Sequence, residues 1–419
     1  MNWRLLFKES FNSLNHYRRR SVVTIISLAW GVASFVLLMS YGDGFQQTLT
    51  TSFQAVGQDL VIMNEGQTSL QAGGLRAGRR VQLDLEDVEA IRQAVPAVRA
   101  ISPEMMQNNV KVVRGTREKE YGVRAMWPEY QYIRNMKLVS GRWLNPEDNR
   151  YRNRVAVLGA TVASELFSGI PPVGEEISMR GLRFTVIGVL DTKGQLANYN
   201  RRDNECVFIP YETVSLFGDT RHPTFIVWTP VSGLVRNDAV RAVRSTLATL
   251  HRFSPTDEKA VFILAFNQFM TIIDGMNLAV KLLLAFVGAL TLGIGGVGLA
   301  NIMLASVIDR TREIGILMAL GGPRRSILGQ FLVEGLLIVA AGGVLGVAVG
   351  VLAIQLVGSM PLFGAIMDDA KDKGNVDLHV SIASVLISTG VLLAVGIIAG
   401  MIPAIKASRL DPIEALRYE

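Results

Sequence analysis

The sequence predicts a membrane α-helical protein: four transmembrane helices, with a large α+β extracytoplasmic domain inserted between the first and the second. Three observations carry this. Residues 21–41, 282–308, 327–357 and 381–402 are apolar runs of spanning length, since a bilayer core takes about 20 helical residues. The segment between the first two runs is too polar to span and large enough for one or two folded domains. Short basic clusters sit beside the apolar runs, always on the same side of the implied membrane.

Composition agrees. Of the 419 residues, 49% are hydrophobic and 40 are glycine, and the mean hydropathy is +0.31. The net charge of +6 does not point to nucleic acid. Residues 43–280 hold 27 Lys/Arg against 25 Asp/Glu, so the excess lies on the short segments beside the spans. The single cysteine, Cys206, excludes an intrachain disulfide and reads as a small buried residue beside a strand.

In chain order, residues 1–20 predict a cytoplasmic amphipathic helix, with Trp3, Leu6, Phe7, Phe11 and Leu14 at helical spacing, followed by Arg18, Arg19 and Arg20. Residues 21–43 are the first span. The run is too long for a signal-peptide core, and no small-residue cleavage site follows it. Residues 44–275 form the outer domain. Its α+β part comprises 44–126 and 224–275, with strands expected over 59–63, 110–113, 121–124, 225–228 and 261–264. Helices are expected at 85–95, ended by Pro96, and at 236–250. Residues 127–223 read as an inserted β-rich part, with a hairpin turning at Arg180-Gly181.

Residues 276–308 are the second span, with Lys281 at its outer end. Its glycines at 293, 295, 296 and 298 spell G-x-G-x-x-G in outline. No strand precedes them, so close helix packing is the better reading than dinucleotide binding. Gly293, Gly296 and Asn301 are therefore placed at helix contacts or a dimer interface. Residues 309–325 hold a short apolar helix between Arg310, Arg312, Arg324 and Arg325. Thr311 is expected to cap it and Gly321, Gly322 and Pro323 to end it. It is too short to span, so it either meets a partner or lies in the headgroups. Residues 326–358 are the third span, in which Gly342, Gly346 and Gly350 repeat every fourth residue for packing, and Glu334 is the one intramembrane charge. Glu334 reads equally as a functional group or as an interface residue paired with an arginine. Residues 359–380 make an acidic outer loop with Asp368, Asp369, Asp372 and Asp377; 381–403 are the fourth span, and 404–419 a basic tail. Both termini fall inside.

Chemistry is sparse. No G-x-x-x-x-G-K-[ST], H-E-x-x-H or G-x-S-x-G occurs, and His16, His222, His251 and His379 are scattered. No catalytic residue, metal or cofactor is expected on this chain, and it does not read as an enzyme.

At 312–321 the run REIGILMALG resembles the coupling-helix signature of MacB/FtsX-type ABC transporter permeases. The tail at 400–407, GMIPAIKA, and at 410–416, LDPIEAL, resembles the same family's C-terminal pattern. VSGR at 139–142, RVAVLG at 154–159 and FTVIGV at 184–189 resemble its periplasmic core domain, on the macrolide-exporter side. The resemblance implies a multi-pass protein of the bacterial inner membrane that binds no nucleotide itself. It implies a separate ABC ATPase subunit carrying ATP and Mg, and a second permease chain, identical or not. A periplasmic adaptor and an outer-membrane channel are further partners of such systems. Glu313, Ile314, Gly315, Leu317, Met318, Ala319, Leu320 and Gly321 become the expected ATPase-coupling residues. The function implied is export by mechanotransmission. Lipoprotein extraction, and FtsX-like activation of cell-wall hydrolases, are the alternatives. FtsX-like relatives have a smaller outer segment.

Overall fold

The computed structural model describes residues 18–57, 59–72, 74–196, 198–362, 371–411 and 415. The helix expected over 2–17 and the aspartates Asp368 and Asp369 lie outside these. The helices are α1 (Arg18–Gln54), α2 (Leu85–Ala94), α3 (Tyr130–Ile133), α4 (Pro146–Arg150), α5 (Ala160–Phe167), α6 (Arg236–His251), α7 (Asn267–Asp309), α8 (Thr311–Ala319), α9 (Arg324–Val357) and α10 (Ile382–Ser408). The chain divides into two units. One comprises Met1–Gln47, Gly275–Met360 and Val376–Glu419; the other comprises Thr48–Asp274 and Pro361–Asn375.

The first unit is a helix bundle. Helices α1, α7, α9 and α10 are each long and apolar enough to cross a membrane. Their buried residues form one core, drawn from Leu28, Val32 and Phe35 on α1, Leu292 and Leu299 on α7, Ile338 and Val339 on α9, and Leu392 and Ala399 on α10. Helix contacts close where glycines remove side chains. A Cβ at Gly346 would lie 2.6 Å from the Ala29 carbonyl and from Val32 Cβ, so α9 meets the backbone of α1 there. A Cβ at Gly296 would lie 2.4 Å from Val395, where α7 meets α10. At the end of α1 far from Arg20 the bundle is tied by Asp43. This carboxylate pairs with Lys281 at 2.7 Å and accepts from the Ser384 hydroxyl at 2.9 Å, which joins α1, α7 and α10.

The second unit is built on one sheet of eleven strands. Strands β1 (Val61–Gln67), β2 (Arg80–Val81), β3 (Val98–Arg114), β4 (Arg117–Met126), β5 (Leu138–Gly141), β6 (Val155–Leu158), β7 (Glu176–Met179), β8 (Leu182–Leu190), β9 (Cys206–Pro210), β10 (Phe225–Pro230) and β11 (Val261–Ala265) run in the order β11-β1-β10-β3-β4-β9-β6-β8-β5. Off this path, β2 pairs with β1, and β7 pairs with both β8 and β3. That last pairing, Val112 with Met179 and Val113 with Ser178, closes β3-β4-β9-β6-β8-β7 into a ring. Val110, Val112, Tyr121, Val123, Leu158, Phe184, Val186 and Val207 belong to one buried cluster, which the ring shares with α5. Helices α2 and α6 cover the other part of the sheet, with Val88, Ile91, Val243 and Leu247 against Met63, Ile101 and Trp228. The segment expected as an insertion thus shares its sheet with the flanking segments, through the parallel pair β4–β9.

Local sequence explains most elements. Asp84 caps α2 in a reciprocal capping box with Asp87. Arg180 and Gly181, both with positive φ, turn β7 into β8. The long hairpin of β3 and β4 exceeds expectation. The polar run from Pro103 to Asn109 hides a continuous strand, with a register shift between Gln107 and Val110 against β4.

Inside this unit lies an ionic cluster that no local spacing announces. Arg124, Arg134, Glu104 and Asp203 are fully buried together. Asp203 Oδ1 lies 2.8 Å from Arg124 and 2.7 Å from Arg134, and Oδ2 lies 3.0 Å from Lys193 Nζ. The Tyr199 hydroxyl donates to Glu104, and Gln195 donates to Asp203 at 2.9 Å. Burial alone would raise the Asp203 carboxyl, but Arg134, Lys193 and Arg124 override it and hold it well below the usual carboxylate range. Burial pushes the Lys193 ammonium down to about 8, against the pull of Asp203.

Candidate functional site

Helix α8 follows α7 after a single residue, Arg310, and is followed by α9. Its period explains its placement. Thr311, Ile314, Gly315 and Met318 recur at helical spacing and face the bundle; Thr311, Ile314 and Gly315 are buried. Ile314 is 4% exposed within the bundle core, and Met318 packs on its edge. The opposite side carries Arg312, Glu313, Ile316, Leu317, Ala319 and Leu320, all exposed. Among these, Ile316 is 44%, Leu317 49% and Leu320 82% exposed, an apolar strip on a charged background.

Three expectations for this helix need correction. Ile314 and Gly315 are buried against the bundle and Met318 is half-buried on the same face, so these three expected coupling residues are not presented at the surface as Leu317 is. A Cβ at Gly315 would lie 2.7 Å from Ala415 Cβ, so this glycine makes room for the tail residue rather than for another subunit. Thr311 does not cap α8. Its hydroxyl donates backward, to the carbonyls of Val307 at 3.1 Å and Ile308 at 2.9 Å, and satisfies the end of α7 instead. Ile316, absent from the expected coupling residues, shares the exposed strip; three- and four-residue spacing from Glu313 to Leu320 was the signal available.

The helix ends as its residues dictate. Gly321 takes φ +88°, its amide reaches the Met318 carbonyl at 3.0 Å, and the Gly322 amide reaches that of Leu317 at 2.9 Å. Pro323 then starts α9 in extended conformation.

The remaining candidates separate. Gly342, Gly346 and Gly350 all lie against α1, where a Cβ would meet Leu28, Ala29 and Val32, and Ala33 and Val36 respectively. On α7, Gly296 is buried against α10, but among the described residues nothing lies within 4 Å of a Cβ built at Gly293. Gly288, against Phe35, and Gly295, against Leu28, are the glycines of α7 at which it approaches α1. Asn301 is exposed on the bundle surface. Glu334 is buried, and its Oε2 lies 3.4 Å from Arg310 Nη1. Nearby, Arg20 Nη1 meets Asp309 Oδ2 at 2.8 Å, which ties the start of α1 to the end of α7. Among the described residues no three His, Cys, Asp or Glu side chains gather as a metal site.

Known proteins are similar to this chain in sequence. Residues 21–246 match the family described as MacB-like periplasmic core domain, and residues 285–412 match the FtsX-like permease C-terminal family. The chain is 31% identical over 419 residues to the macrolide export ATP-binding/permease protein MacB of Bdellovibrio bacteriovorus, covering 98% of this chain and 61% of that protein. It is 30% identical over 421 residues to the protein of the same name from Marinobacter nauticus, covering 100% of this chain and 61% of that protein. The chain thus spans about three-fifths of the length of these relatives. Among solved structures, the periplasmic region of MacB from Actinobacillus actinomycetemcomitans is similar at 20% identity with a TM-score of 0.41, over 53% of this chain and 95% of that one. The extracellular domain of the ABC-type transporter YknZ from Gram-positive bacteria is similar at 14% identity and a TM-score of 0.40, over 49% of this chain and 100% of that one. With a core domain and a permease region that together take in most of its length, the chain belongs to the MacB/FtsX-type family of ABC transporter permeases.

Proposed function

We propose that this chain is the membrane subunit of an ABC-type export system and works by passing on motion. ATP, with Mg, binds to a separate nucleotide-binding subunit. Closure of that subunit pushes on α8, and two permease chains carry the push through their spans to the large domains. Those domains then expel a substrate already outside the inner membrane, toward an adaptor and an outer channel where these are present. The termini and α8 lie on the cytoplasmic side in this reading.

The observation that carries it is α8 itself. One face is locked into the core of the bundle, and the other presents Ile316, Leu317 and Leu320 to solvent. A leucine 82% exposed on a helix with firmly set ends is a surface awaiting cover. Its firm seating lets it transmit force rather than yield to it.

The test is Leu317→Asp. The substitution places an unpaired charge in the contact, at a cost of several kcal/mol to docking. Because Leu317 lies outside the spans and outside the core, the variant should insert and melt like the parent. It should lose co-purification with the ATPase, or lose the stimulation of ATP hydrolysis by permease. A variant that keeps both would mean that the strip lies in the headgroups and the coupling role is misplaced.

A further inference from the structure

The second span does not run straight into α8. Helix α7 ends at Asp309 and α8 begins at Thr311, so the break falls on Arg310, with φ −109° and ψ 14°. Its amide donates to the Ser306 carbonyl at 3.2 Å, and its own carbonyl accepts from the Ile314 amide at 3.0 Å. Its guanidinium reaches across to α9, where Nη1 lies 3.4 Å from Glu334 Oε2. The side chains are only 13% and 9% exposed.

Val307 and Ile314, on either side of the joint, are packed into the bundle core, but the packing on the Glu334 side is incomplete. Beside the ion pair lies a cavity of about 20 Å³, bounded by Arg20, Met303, Ser306 and Glu334. The buried Ser306 hydroxyl has no hydrogen-bond partner. A void of this size holds at most one water. A bundle that packs on glycine elsewhere has no need of a buried carboxylate here. Such a group costs desolvation wherever it is placed. What Glu334 adds is direction, because its charge-assisted contact holds the single residue that joins α7 to α8.

We propose that Glu334 is a positioning residue: through Arg310 it sets the angle at which α8 leaves the second span. A push on α8 then moves the second and third spans together instead of bending the joint. The proposal rests on the reading of α8 as the surface that receives the push.

The experiment uses the full chain with its ATPase in lipid nanodiscs, carrying a reporter cysteine at the exposed Leu278 position of α7. The maleimide labelling rate is compared with and without a non-hydrolysable ATP analogue. Glu334→Gln should keep the ATPase bound and hydrolysing, yet reduce the nucleotide-dependent change in labelling by about threefold or more. Glu334→Asp, which keeps the charge, should restore most of it. A purely stabilising role would lower the melting temperature and leave the change in labelling intact, and that result overturns the proposal. So does loss of ATPase binding in Glu334→Gln, which would put Glu334 in the docking surface. If Glu334→Gln does not accumulate, Arg310→Gln breaks the same pair. A reduced labelling change in Arg310→Gln with the ATPase still bound supports the proposal, and an intact change or a lost ATPase overturns it. If the parent reporter shows no response to nucleotide although the ATPase is bound, the coupling reading itself has failed and takes this proposal with it.

Discussion

Asp203 is the carboxylate at which the buried cations of the large domain converge. Three cations face its two oxygens, and Arg124, Arg134 and Asp203 itself are fully buried while Lys193 is 10% exposed. Removing one partner from such a set strands the others, which typically costs about 3–5 kcal/mol. Asp203→Asn should therefore lower the melting temperature of the purified chain by several degrees; an unchanged melt would mean that water reaches the cluster. His251 offers a gentler test. It closes α6, and its Nε2 lies 2.7 Å from Asp87 Oδ1. The hydrogen bond with that carboxylate raises the imidazole above its usual 6.5, with burial opposing. A folded-state value above the unfolded one stabilises fully below pH 6.5 and loses its effect as pH rises through the raised value. Thermal stability should accordingly fall as pH climbs through that window, and His251→Gln should flatten the fall. Equal pH slopes for parent and variant would rule the pair out as its source.

At the scale of elements, the glycine row of α9 gives the sharpest expectation. Leucine at position 346 would drive into Ala29 and Val32, and overpacking of this kind costs about 1–3 kcal/mol. Gly346→Leu should melt lower than the parent, whereas Gly298→Ala, with nothing within 4 Å, should not. Equal melting of Gly346→Leu and parent would mean that the two helices separate in the membrane. The row itself was legible in the sequence, because a four-residue repeat defines one helix face whatever it touches. Its partner was not legible, since α1 offers only ordinary Ala and Val at the contact. The ends of α8 were equally readable from Gly321, Gly322 and Pro323. Its faces were obscured, because nearly every residue between is apolar and only the recurrence of Thr311, Ile314, Gly315 and Met318 marks the inner one. Strand β3 was half missed for the opposite reason. Glu104 and its neighbours look like a loop until their buried partners are known. The ionic cluster was invisible, since its members are scattered from Glu104 to Asp203 and nothing in local spacing joins them.

For the molecule as a whole, orientation is the open prediction. By the positive-inside rule, the basic residues at Arg19, Arg20, Arg312, Arg324 and Arg325 predict that their side of the bundle faces the cytoplasm. A reporter placed at the exposed hairpin tip, Gly115-Thr116, should be active outside, and one at the C-terminus inside. The reverse result would end the export reading while leaving the fold untouched.

Strand β3 has a bearing on how such a domain can be altered. Its first half pairs with β10 and its second half with β4, so one strand of 17 residues belongs to two cores. Excising 127–222 would remove β6, β7, β8 and β9 from the ring and leave Val110, Val112, Tyr121 and Val123 facing water, with β4 as a bare apolar edge open to pairing between molecules. The segment is therefore not a cassette that can be trimmed from a homologue or swapped between relatives at its sequence boundaries. A graft that works must carry β3 and β4 with it.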